Sequence, residues 1–193
     1  MKRDTTGLRW DLREATASAH GALDAKVSTV DISTVCGLTV FLVGNAVAHE
    51  ALSPFDDAFE GLIGQRLELI QKDLLTLGVQ FPRMPLSFTP PTFETAPGYR
   101  YVIAGSARGG KLLARRHAAS EDTHARAAGQ FLNDHRLDLF WKDVQSELAA
   151  LPRTDATRAA VEEGAIACFE LFDTAFDAVM AHNDDAQEAR VGG

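Results

Sequence analysis

Cysteine is scarce in this chain of 193 residues. Cys36 and Cys168 form no C-x-x-C motif, which argues against a disulfide framework or a zinc ribbon and leaves reduced core thiols as the expectation. Basic residues are outnumbered, with 19 Lys and Arg against 27 Asp and Glu and a formal net charge of −8, so no face is expected to neutralise nucleic-acid phosphates. No run of about 18 apolar residues stands out, and no membrane span is expected. The opening M-K-R-D-T-T-G lacks the apolar stretch of a secretory signal, which points to the cytoplasm. Strand alternation, internal repeats and low-complexity blocks are also missing. An apolar fraction of 46% with 24% charged residues fits one soluble globule with a sizeable core.

Helical periodicity fills most of the space left by these absences. Residues 11–27 read as a first helix, and after a turn at 28–33 residues 34–52 read as a largely buried apolar helix ended by Ser53-Pro54. Residues 56–77 form an amphipathic helix closed by Gly78. Five of the seven prolines fall within 79–98, which predicts an extended crossing over the bundle. Helices are then expected over 99–119, 122–133, 137–151 and 157–182. The expectation is an all-α, single-domain bundle over 1–183, with 184–193 a disordered C-terminal tail.

The chemistry concentrates in two segments. In L-R-E-A-T-A-S-A-H-G-A-L-D, residues 12–24, spacings of four and seven bring Arg13, Thr16, His20 and Asp24 to within roughly 40° of one another on one helix face. An imidazole to ligate iron, a carboxylate to hold its second nitrogen directly or through water, and a cation to meet a propionate are what an iron porphyrin needs on its proximal side. The alternative is an amphipathic helix with a satisfied surface histidine. In Y-R-Y-V-I-A-G-S-A-R-G-G-K-L-L-A-R-R, residues 99–116, Gly105, Gly109 and Gly110 interrupt a helix, at about 1 kcal/mol each relative to alanine. Such a strip lets a flat ligand lie against bare main chain; the alternative is close helix packing through small residues.

Together the two segments resemble the bacterial biliverdin-producing heme oxygenases found beside bacterial phytochromes. The first is similar to the family's L-[KR]-x-A-T-x-x-x-H-x-x-L-[DE], the second to its Y-V-x-x-G-S-x-x-G-G distal helix, and Q-F-L-N-D-H-R-L-D-L-F-W (130–141) and E-G-A-I-A-C-F-E-L-F (163–172) follow in order. The resemblance implies a heme-oxygenase-like helical bundle with His20 as the iron ligand and Asp24 behind it. Heme contacts are expected from Arg13, Thr16, Tyr101, Arg108 and Gly110, with a catalytic distal face of Gly105, Ser106 and Gly109, and Lys142, beside Trp141, is a further candidate for a propionate. Heme would be both cofactor and substrate, opened by dioxygen to biliverdin, carbon monoxide and ferrous iron, with electrons from an external ferredoxin or flavodoxin-type donor. This chain departs from the family at Ala104 (often Glu), Ser106 (Asp in some members) and Arg108 (often Leu). It also lacks the usual tyrosines of the second helix and carries His135-Arg136 where an aromatic and a glycine are common.

Arg108, Lys111, Arg115, Arg116 and His117 concentrate positive charge, for propionates, for an acidic electron donor, or as a complement to the helix dipole. His49, His117, His135 and His182 read as surface or rim residues. Glu121-x-x-His124 has di-iron spacing without the further carboxylates such a site needs, and Cys36 and Cys168 sit in apolar sequence with no evident base, against a thiol hydrolase. The competing reading is a heme carrier or sensor that leaves the ring intact.

Overall fold

The computed structural model describes residues 7–81 and 83–191, with backbone alone over 184–191. Among them the helices are α1 (Leu8–Ala15), α2 (Ala17–Ser28), α3 (Val35–Leu52), α4 (Leu62–Thr76), α5 (Ala96–Ala118), α6 (Thr123–Ala127), α7 (Arg136–Ala150) and α8 (Asp155–Val191), with a 3-10 turn at Ser53–Phe59 and no strand. The all-α expectation holds. At the centre lies α3, buried on every side from Phe41 to His49, because a helix apolar all round has no face to give to water. It packs on α4 and α8, and α5 closes the other side between α7 and α8. By length and apolarity Val35–Phe59 could cross a bilayer, contrary to the expectation that no segment qualifies, but 67% of its apolar window is buried against the other helices.

Several boundaries differ from the sequence reading, each for a local reason. The single helix expected over 11–27 is two, meeting at Thr16 (φ −96°, ψ 0°). The Thr16 hydroxyl, buried, donates to the Leu12 carbonyl oxygen at 2.7 Å, a back-bond that bends helices. Helix α4 begins at Leu62 rather than Asp56, because Glu60 and Gly61 turn left-handed (φ 57° and 78°) and the Asp56 carboxylate reaches over to accept from the Ile63 and Gly64 N–H groups. The proline-rich stretch crosses as expected and ends earlier, at Ala96, where Pro97 occupies the first turn of α5.

Helix is also lost over 128–133. There the carboxylate of Asp73, fully buried, accepts from the Gln130 and Phe131 N–H groups at 3.0 and 2.9 Å and holds the backbone in turns. Helix α8 runs past 182 to Val191, so backbone expected to be a disordered tail from 184 is helical; no proline or glycine interrupts it after Gly164. Residues 192–193 lie outside the described residues.

The tightest helix contact is α5 on α8. A Cβ at Gly98 would collide with the Val161 carbonyl oxygen, and one at Gly164 with that of Thr95. Glycine is what allows the two backbones to touch.

Candidate functional site

A cavity of about 820 Å³ opens between α2, α3, α5, α8 and the segment from Phe131 to Trp141. That volume lies in the range that encloses cofactor-sized ligands, about 300–1,000 Å³. Arg13, Thr16, His20 and Asp24 line it from one side, and Tyr101, Gly105, Ser106, Arg108, Gly109 and Gly110 from α5. The joint at Thr16 therefore does not scatter the first set. Lys142 is not part of the wall: it is exposed on α7, and its neighbour Trp141 faces the cavity instead.

On the α2 wall, His20 Nδ1 lies 3.2 Å from Asp24 Oδ2, and Phe169 of α8 meets the ring edge-on at 5.6 Å between centroids. With Nδ1–H directed at the carboxylate, the lone pair of Nε2 is left for another partner. The histidine is half exposed, with 58% of its side chain accessible, and it lines the cavity. Thr16 forms wall only, since its hydroxyl is spent on Leu12. Arg13 sits over the Trp10 ring and makes no ion pair among the described residues.

The α5 wall carries a strip of bare backbone at its glycines. A Cβ added at Gly109 or Gly110 meets nothing within 4 Å, and one at Gly105 reaches only the Trp141 ring at 3.9 Å. Among the described residues no other helix packs against the strip at Gly109 or Gly110, and at Gly105 the neighbour is a side chain rather than backbone. Trp141 is flanked by Tyr101 (5.8 Å, 46°) and by the Arg108 guanidinium at 5.8 Å, an aromatic and cationic shoulder on the strip. Ser106 donates its hydroxyl to the Ile103 carbonyl oxygen at 2.7 Å, so towards the cavity it can only accept a hydrogen bond. Ala104 is fully buried in the core and off the cavity, so the departure from the family at that position does not touch the wall.

The deep end of the cavity holds a polar cluster that the sequence reading missed. His49, expected at the surface, is 1% exposed: its Nδ1–H donates to the Asn45 carbonyl oxygen at 2.7 Å and its Nε2 accepts from Arg66 Nε at 3.2 Å. Burial, and then the Arg66 charge, push its pKa down to about 3, so it is neutral. The Arg66 guanidinium lies 4.2 Å from the Phe131 ring centroid and bonds Asp134 Oδ2 at 3.2 Å through Nη1, while its Nη2 has no partner among the described residues. Burial draws the Arg66 pKa down to about 10, against the pull of Asp134, and leaves it a cation. Asp134 is pushed up by burial and more strongly held down by hydrogen bonds from Arg136 and the Arg66 charge. The available signal was Asn45 and His49, one turn apart within the apolar run of α3.

The basic run on α5 does not act as one patch. Lys111 pairs with Asp138 at 2.7 Å, Arg116 is off the cavity, and His117, buried rather than on the rim, bonds the Ala125 carbonyl oxygen at 2.8 Å. Arg108 and Arg115 line the cavity without an ion pair among the described residues. His124 bonds the Thr76 carbonyl oxygen, and among the described residues no three His, Cys, Asp or Glu side chains gather as metal ligands. Cys36 is exposed rather than enclosed in apolar surroundings; Cys168 is buried, which pushes its thiol up and away from nucleophilic use.

No protein-family model and no curated protein matches the sequence. Among solved structures, the chain is similar to the heme oxygenase of Neisseria meningitidis in its NO- and CO-bound forms, with a TM-score of 0.71, 20% identity, and 91% of this chain and 92% of that one covered. The chain thus has the heme-oxygenase fold.

Proposed function

We propose that this protein is a heme oxygenase that binds heme in the 820 Å³ cavity and opens it to biliverdin. The observation that carries the proposal is that one cavity holds both features: an imidazole oriented by a carboxylate on α2, and a strip of α5 where a Cβ at Gly109 or Gly110 would meet open space. That pair fits a flat metal-bearing group that would take one imidazole nitrogen and lie against bare main chain. The similarity in fold to a heme oxygenase supports it.

When bound, heme supplies the iron that activates dioxygen and is itself the porphyrin opened to biliverdin, carbon monoxide and ferrous iron. His20 would hold the iron through Nε2 while Asp24 keeps the proton on Nδ1. Phe169, Phe172 and Phe176 of α8 give the cavity an apolar lining, and Arg13, Arg108 and Arg115, which have no ion pair among the described residues, would meet propionates at its edge. Glycine backbone lets a ligand bend beside α5 without a side chain in its path, and no carboxylic acid of that helix stands there. Arg66 Nη2 and the Ser106 oxygen supply one donor and one acceptor for ordered water. Electrons would come from an external ferredoxin or flavodoxin-type protein.

A carrier or sensor that keeps the ring intact is favoured by a single observation, the donation of the Ser106 hydroxyl to the Ile103 carbonyl oxygen, away from any water in the cavity. Adding hemin to the purified protein and supplying ascorbate or a ferredoxin system under air separates the two. Loss of the Soret band with growth of a biliverdin band is expected; a Soret band that survives reducing turnover conditions would establish the carrier.

A further inference from the structure

The helix that carries His20 is weakly held by packing. No residue of α2 is fully buried, and only Ala19, Leu23 and Val27 lean on the core. At its N-terminal end it joins α1 through the bend at Thr16. At its C-terminal end the arrangement is different. Lys26 Nζ forms ion pairs with Asp173 Oδ1 at 2.5 Å and Asp177 Oδ1 at 2.7 Å, and it donates to the Asp173 carbonyl oxygen at 3.2 Å, so three oxygens of α8 surround the ammonium. Lys26 is largely covered, with 20% of its side chain exposed, and Asp173 and Asp177 stand one turn apart. One turn before Asp173, Phe169 meets the His20 ring. A single face of α8 therefore contacts the imidazole and grips the far end of the helix that bears it.

We propose that Lys26 is a positioning residue, which by clamping α2 to Asp173 and Asp177 sets where His20 stands in the cavity. Lys26 does not line the cavity, so its influence on a bound ligand runs through the placement of α2. Without the ammonium, two carboxylates on adjacent turns of α8 face α2 uncompensated, and α2 is free to swing about Thr16. The consequence for heme ligation rests on the proposed function; the clamping of α2 does not.

The test uses Lys26→Met, Lys26→Arg and Asp177→Asn in the full chain, with His20→Ala as reference. In the protein without hemin, amide exchange across residues 17–28 is expected to quicken about tenfold in Lys26→Met and less in Asp177→Asn, with α3 and α8 unchanged and Lys26→Arg close to the parent. With ferric hemin, Lys26→Met should bind about tenfold more weakly and show a mixed-coordination spectrum that Lys26→Arg restores. Unchanged exchange in Lys26→Met overturns the clamp. Faster exchange with an unaltered hemin spectrum overturns the positioning role. If His20→Ala has the parent's spectrum, the proposed function fails instead, and exchange alone then decides whether the clamp exists.

Discussion

Arg66 donates from Nε to Nε2 of His49, 3.2 Å away, inside a helix bundle where both side chains are almost wholly buried. A neutral imidazole can accept there only while it remains unprotonated, and its Nδ1–H is already committed to Asn45. The pair fixes one tautomer and one orientation of the guanidinium, leaving Nη2 for the cavity.

The first prediction is a pH dependence of stability. The His49 pKa falls from about 6.5 when unfolded to about 3 when folded, so between these values the unfolded chain binds a proton that the folded chain refuses. Stability is full above about pH 6.5 and declines as pH falls, by up to about 1.4 kcal/mol per unit. Denaturant unfolding at pH 6.5 and pH 5 should therefore show a loss near 2 kcal/mol from this group. His49→Gln should remove that share of the slope whatever its effect on absolute stability; an identical slope in the variant would show that His49 titrates normally.

The second prediction concerns ligation. His20→Ala is expected to lose the parent's ferric hemin spectrum and recover it in part with added imidazole, whereas Asp24→Asn should retain coordination with a shifted spectrum, because the amide bonds Nδ1–H more weakly than a carboxylate does. Wild-type absorbance and turnover in His20→Ala would remove the histidine from the site.

Asp73 supports the cavity from outside it. Its buried carboxylate receives the Gln130 and Phe131 N–H groups, and Phe131 is the ring beneath Arg66. Asp73→Ala leaves both donors unmatched, a cost of about 2–4 kcal/mol, and should lower hemin affinity as well. Normal stability in thermal melts would mean that the 128–133 turns hold without the cap.

The elements carrying strong periodicity were readable from sequence, and the residues expected on the two segments, Lys142 aside, line one cavity, because spacings of four and seven survive small errors in helix boundaries. The bend at Thr16 was not readable: a threonine in mid-helix is common, and only its burial makes the back-bond to Leu12 decisive. His49 and Arg66 escaped for a related reason. They lie 17 residues apart in the chain, and nothing in either helix alone announces that their side chains meet. Lys142 lies off the wall that its neighbour Trp141 lines, because consecutive residues on a helix point about 100° apart.

The glycines give the last prediction. Sequence spacing left open whether Gly105, Gly109 and Gly110 served a ligand or a neighbouring helix, and the structure assigns close packing to a different pair, Gly98 and Gly164, where backbone meets backbone. Alanine should therefore act in opposite directions at the two sets. Gly164→Ala forces its methyl against the Thr95 carbonyl oxygen, which cannot rotate aside, and should destabilise by about 3 kcal/mol or more. Gly109→Ala places its methyl in open space on a good helix former, a gain of up to about 1 kcal/mol and a rise of roughly 2–4 °C in melting temperature. The same methyl stands on the cavity wall, so hemin turnover should fall or its product isomer change while stability rises. A Gly109→Ala protein that melts higher and turns over hemin with the parent's rate and isomer pattern would take the strip out of the reaction.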